Sequence, residues 1–324
     1  MGLIMSQKMK HDLNDLGFLV VPNVLSQKEL SAISGSLDEL ASAASDGAPL
    51  AYGGKGYSRR NGLVASEEIL NLIDHPIALK YIVDAIGWNI FNRDSVLSVI
   101  PPQPKSDSKT LSLGWHFDYE EEICGMTLDG TLPLIDFKIG WYISDHRDPL
   151  HATILLVPGS HKWSIEQRAT WENWYDMSKI VELRVAAGTI LLWRPSILHS
   201  VTPNMSTYTR KAIYVSYCPR WVRPTGYINQ DPNLVLRSDP VRRQLLGEMG
   251  DGSNPLGKDP NGSPNSQYWF TEDWNSVPLK KWAEERSIGG KFDWGTELGV
   301  SHTKGPDFLF TQLDVPKEPH KKLV

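Results

Sequence analysis

From residue 95 to residue 217 the chain is a succession of short apolar segments, not an alternation of strands and helices. The segments 95–100, 113–118, 134–143, 153–157, 180–186, 189–193 and 210–217 are β-branched or aromatic and are punctuated by Gly, Pro and Asn. A parallel sheet needs a long crossover between successive strands, and no βαβ rhythm is present here. The stretch therefore predicts an antiparallel sandwich or barrel, a mainly β core with flanking helices.

The helices are expected upstream. Residues 11–22 predict a short helix that breaks at Gly17 and continues as an apolar strand over 18–21. Ser26 followed by Glu29 is a capping-box pattern, and Leu30, Ile33, Leu37 and Leu40 then share one helical face. Residues 44–62 are rich in Gly and polar residues and predict a loop, a lid carrying Arg59 and Arg60 or a plain solvated one; the GxxxxGK[ST] phosphate-loop pattern is missing. Residues 66–86 predict two short helices jointed at Asp74-His75-Pro76, with His75 a turn residue and not a ligand. Beyond Arg223 the pattern weakens: 249–266 is a Gly/Pro/Asn/Asp-rich loop, 277–282 opens a short helix, and the last ~15 residues form a polar tail. Seven aromatic residues between Tyr268 and Trp294 imply that this region wraps the core. The expected organisation is one domain over 1–324, with helical support at 10–90, the β core at 91–223 and a C-terminal wrap and tail at 224–324.

Composition narrows the function classes. A net charge of −5 argues against nucleic acid or an anionic membrane as the main partner. No run of about 18 apolar residues and no signal-peptide h-region occurs, so the cytoplasm is the expected address. Cys124 and Cys218 lack metal-ligand spacing and read as buried thiols. Nothing in the sequence sets an oligomeric state.

The chemistry concentrates in Gly114-Trp115-His116-Phe117-Asp118. On a strand, His116 and Asp118 face one side and Phe117 the other. With His199 as the best candidate for a third ligand, they compose the 2-His-1-carboxylate set that holds Fe(II) and leaves positions open. Arg210, eleven residues on and across the Pro203-Asn204 turn, is placed to clamp the far carboxylate of a 2-oxo acid. His199 is expected at the exit of the apolar strand at 188–193. Other polar residues have plainer readings. Asp145, His146, Arg147 and Asp148 read as a polar turn, and His146, His151 and His161 are not expected to be iron ligands. Glu120, Glu121 and Glu122 read as a solvated loop, and His302 and His320 as solvated tail residues. Asp136 and Lys138 share a strand face and are expected to be an exposed cross-strand pair. Arg220 and Arg223 either support the site's rim or pair with acidic neighbours.

The set HxD, then LLVPGSHK, then H-x4-N-x5-R resembles the phytanoyl-CoA dioxygenase family of Fe(II)/2-oxoglutarate-dependent oxygenases. LGFLVVPNVLS and the IDHP segment are similar to that family too, so the resemblance spans roughly residues 10–223. It implies a double-stranded β-helix (jelly-roll) core, His116, Asp118 and His199 as iron ligands, and Arg210 as the anchor of the 2-oxoglutarate C5 carboxylate. It also implies Trp141 as an aromatic neighbour of the co-substrate. Fe(II), 2-oxoglutarate and O2 are the expected cofactor set, and a small organic molecule is the expected partner. Related halogenases carry a small residue where Asp118 stands, so Asp118 implies hydroxylation or another oxidation. A CoA ester should meet a Lys/Arg cluster, and none is evident outside Arg59 and Arg60. Natural-product or amino-acid-like substrates are expected instead. A non-redox cupin-like metalloenzyme, which has no need of Arg210, and a catalytically silent binding protein, which succinate formation would remove, are the alternatives.

Overall fold

A computed structural model of the chain describes residues 5–44, 56–103, 114–118, 134–148, 151–248 and 277–288. Among the described residues, nine strands form two antiparallel sheets. They are β1 (Phe18–Val21), β2 (Tyr57–Arg60), β3 (Ile90–Ile100), β4 (Phe137–Tyr142), β5 (Ile154–Leu156), β6 (Val181–Glu182), β7 (Ile190–Trp193), β8 (His199–Val201) and β9 (Arg210–Pro219). The larger sheet runs β1-β7-β4-β9-β3-β2 and the smaller β6-β5-β8. This is the antiparallel architecture expected from the strand texture, in the jelly-roll form that the family resemblance implies.

Register decides what each face carries. On β4, Gly140 lies opposite Leu191 of β7 and Tyr214 of β9. Side chains of one parity, Lys138, Tyr142, Leu191, Trp193 and Tyr214, therefore point between the sheets, where Phe18, Ile154, Leu156 and Ile197 meet them. The opposite parity, Phe137, Ile139, Trp141, Ile213, Val215 and Tyr217, faces the helices.

The helical layer follows its sequence signals. The first helix, α1 (Gln7–Leu16), ends at Gly17 in the left-handed region (φ 86°), which turns the chain directly into β1. Ser26 and Glu29 form the capping box of α2 (Gln27–Ala43), whose buried face is Leu30, Ile33 and Leu37. Each of those side chains contributes roughly 1.5–3 kcal/mol by leaving water. Two further helices, α3 (Glu67–Leu70) and α4 (Ala78–Ile86), flank the predicted joint at 74–76. There His75 is buried, edge-to-face with Trp141, with its Nε2 3.3 Å from Glu29. The helix expected at 277–282 is present as Pro278–Glu285.

Four expectations need correction. Residues 57–60, expected within a loop, form β2 on the edge of the large sheet, and Arg60 pairs with Asp94 at 2.5 Å. Segment 114–118 is not a strand: His116 makes a single antiparallel bridge to His199. His199 does not end the 188–193 strand; a turn separates them and it opens β8 in the other sheet. Two helices, Pro232–Arg237 and Pro240–Leu245, lie where the pattern seemed weak, each opened by an Asp cap and a Pro in the first turn. Residues 45–55, 249–266, Glu120, Glu121, Glu122, Cys124 and the tail lie outside the described residues. Cys218 is a buried thiol, as expected.

Candidate metal centre

His116, Asp118 and His199 come together, one donor atom of each lying within 4.8 Å of the others. The backbone explains how. His116 and His199 exchange N–H···O bonds of 3.0 and 3.1 Å, and the Asp118 amide donates to Pro195 O at 3.0 Å. Phe117 points the other way, into a cluster with Val157, Trp163, Trp171 and Leu198, under the Arg168 guanidinium at 4.2 Å. The alternation read from HxD therefore holds without a strand. The PGSHK turn sets the partner side: Ser160 Oγ accepts from Leu198 N at 2.7 Å, fixing the chain just before His199.

The donors are arranged as a divalent metal requires. His116 Nδ1 lies 2.9 Å from Gly114 O and His199 Nδ1 2.9 Å from Ile197 O. A carbonyl only accepts, so each ring donates through Nδ1 and turns Nε2 to the site. Burial pushes the His199 imidazolium down to about 4, keeping the ring neutral. Asp118, although buried, is held below the ordinary carboxylate range by the Lys138 ammonium. Its Oδ2 lies 2.6 Å from Lys138 Nζ and 3.5 Å from His199 Nε2, and its Oδ1 lies 3.9 Å from His116 Nε2. Two imidazoles with Nε2 turned to the site and one carboxylate fit a non-haem Fe(II).

Arg210 opens β9 and is buried between the sheets. Its guanidinium donates to Ser98 Oγ at 2.9 Å and to the Tyr214 hydroxyl. Asn204 makes the preceding turn, donating to Ile100 O (2.8 Å) and Tyr208 O (2.9 Å). The Tyr142 hydroxyl and Arg210 Nε are buried with no partner among the described residues, beside one another on the inward face. The expectation for Trp141 is corrected: it sits on the helix-facing side against His75, and its neighbour Tyr142 takes the inward position.

The remaining residues sort cleanly. His161 donates through Nε2 to Asn14 O at 2.9 Å and is structural. His146 and His151 are fully buried, with ring centroids 5.2 Å apart, and stand outside the donor cluster. Within the expected polar turn at 145–148, where Arg147 pairs with Asp145, His146 alone folds inward beside Tyr142, and His151 packs on Tyr208. Arg220 is buried and binds Asn89 at 2.8 Å. Asp136 and Lys138 are not an exposed pair: Asp136 is buried on Arg93 at 3.0 Å, and Lys138 turns toward Asp118. Sequence reasoning missed Lys138 as part of the site. Its parity with Gly140 was the available signal, but using it required knowing which face of β4 is the inner one.

Fold and donor set together define the class of non-haem Fe(II)/2-oxoglutarate-dependent jelly-roll enzymes. The profile of the phytanoyl-CoA dioxygenase (PhyH) family matches residues 13–212, and the chain belongs to that family. Among solved structures, the 2-oxoglutarate-dependent carbocyclase SnoK from nogalamycin biosynthesis is 20% identical (TM-score 0.53), covering 72% of this chain and 91% of that one. HygX from Streptomyces hygroscopicus, with nickel and 2-oxoglutarate bound, is 18% identical (TM-score 0.52; 70% and 97% covered). The epimerase SnoN, in complex with Fe3+, 2-oxoglutarate and a nogalamycin species, is 17% identical (TM-score 0.55; 72% and 92% covered). At these identities the likeness establishes the fold. No curated protein matches the chain. No described helix is long and apolar enough to cross a membrane.

Proposed function

We propose that the chain is a cytoplasmic Fe(II)/2-oxoglutarate-dependent dioxygenase that hydroxylates a C–H bond of a small organic molecule, a natural-product or amino-acid-like substrate. The observation that carries the reading is the donor set itself: two imidazoles with Nε2 turned to the site, one ionised carboxylate, and a buried guanidinium on the neighbouring inward face. His116, Asp118 and His199 hold the metal. Arg210, oriented by Ser98 and Tyr214, receives the C5 carboxylate of 2-oxoglutarate, and the unpaired Tyr142 hydroxyl is a second donor within its reach. Iron with 2-oxoglutarate and O2 supplies the oxidant, with release of succinate and CO2. The carbocyclase and the epimerase among the structural relatives support a small-molecule substrate. The protein's own work is to present that substrate to one face of the metal and keep water from it.

The test is an anaerobic titration of metal-free protein with Fe(II) and then 2-oxoglutarate, following the visible charge-transfer band of the chelate. The band is expected in the wild type and absent in His199→Ala. Iron binding without a band would refute the proposal in favour of a cupin-like metalloenzyme of another kind.

A further inference from the structure

We propose that Lys138 is the counter-ion of Asp118 in the metal-free protein, so that loading the site exchanges one cation for another; this rests on the metal-centre reading above. Lys138 lies opposite Trp193 of β7 and Ser216 of β9, in the interior of the large sheet, and points between the sheets. Its ammonium is 2.6 Å from Asp118 Oδ2, and the two side chains are only 15% and 14% exposed. The other groups at that carboxylate are ring nitrogens, which carry no compensating charge while neutral. Asp136, two residues before Lys138 and on the same face, has its own cation in Arg93 at 3.0 Å. Lys138 is thus the cation in direct contact with Asp118, while Asp136 rests on Arg93 and also feels the Lys138 charge.

A divalent ion among His116, Asp118 and His199 disturbs that contact. Lys138 then either gives up Asp118, losing a buried ion pair, or stays as a like-charged neighbour of the metal. Both oppose metal binding. Lys138 also relieves the metal-free fold of a buried unpaired carboxylate, which lowers the energy of the state the metal must compete with. All three effects give one sign: Lys138 stabilises the empty site and loosens the metal. A residue that merely aimed the Asp118 carboxylate would have the opposite sign, since losing an orienting partner weakens a metal site roughly 10–100-fold.

The experiment is calorimetric titration of the untagged, metal-free full chain with Ni(II), paired with thermal unfolding with and without Ni(II). Lys138→Met is expected to bind Ni(II) roughly tenfold or more tighter than wild type. Its metal-free form should unfold at lower temperature, and Ni(II) should raise its midpoint by more than it raises the wild type's. Lys138→Arg, which keeps the charge, should stay close to wild type. If Lys138→Met folds poorly without metal, recovery of folding by Ni(II) supports the proposal, and Lys138→Gln carries the affinity comparison. Unchanged or weaker Ni(II) binding in the folded uncharged variant overturns it. A wild type that binds no Ni(II) overturns the metal-centre reading as well, and so separates the two failures.

Discussion

His161 fastens α1 to the PGSHK turn, and its buried ring makes that fastening dependent on pH. The ring is 4% exposed, donates to Asn14 O at 2.9 Å, and lies where a Cβ on Gly17 would come within 2.5 Å of Nδ1. Burial first, and then Arg194, lower its pKa from 6.5 to about 4. In the unfolded chain the same ring titrates near 6.5, so between these values the unfolded state binds more protons. Stability is therefore present above pH 6.5 and is lost as pH falls toward 4, by at most about 3 kcal/mol for this one group. His161→Gln keeps a donor for Asn14 O but cannot be protonated. At pH 7.5 the variant should be less stable than wild type by about 1–2 kcal/mol, through lost packing and a poorer hydrogen bond. At pH 4.5 that deficit should shrink or reverse, because the wild type alone bears the cost of charging the ring. Urea denaturation at pH 7.5, 5.5 and 4.5 in the presence of a chelator measures it, the chelator removing any metal linkage at His116 and His199. A wild-type–variant difference constant across these three pH values would refute the reasoning.

Three further outcomes are expected. Arg210→Lys should raise the 2-oxoglutarate concentration needed for half-saturation by roughly tenfold or more, since a forked guanidinium becomes a point charge; an unchanged requirement in the anaerobic band titration rules out the clamp. Gly17→Ala should cost about 2–4 kcal/mol by urea denaturation, because φ is 86° and the new Cβ would strike the His161 ring. Ser26→Ala should cost about 1 kcal/mol through loss of the α2 capping box, with no effect on metal binding.

What the sequence disclosed and withheld follows physical lines. Local rules reached the α1–Gly17–β1 joint, the α2 cap and the outward turn of Phe117, because each depends on neighbours within a few residues. The Asn204 turn that returns the chain to Arg210 was equally local. Which face of a strand is the interior was not. A run such as 137–142, buried on both sides, shows no polar alternation, so nothing in it tells Trp141 from Tyr142 or marks Lys138 as inward. β2 was hidden by its polar composition: Tyr57-Ser58-Arg59-Arg60 is an exposed edge, where charge is what keeps a strand from pairing with strangers. The helices at 232–245 were visible in principle, through Asp231-Pro232 and Asp239-Pro240. Burial of His146 and His151 depends on tertiary closure beside Tyr142 and Tyr208, which no window of sequence contains.

Two of the three donors reach the barrel across a seam one residue wide. His116 and His199 clasp each other through two backbone bonds, and the Asp118 amide adds a third to Pro195. A metal in this triad would grip both lips of the same seam and act as its rivet. Parting the seam would carry away an imidazole and the carboxylate in one motion, so metal escape and local opening are a single event. The residence time of the ion and the exchange lifetimes of the His116 and His199 amides should then rise and fall together.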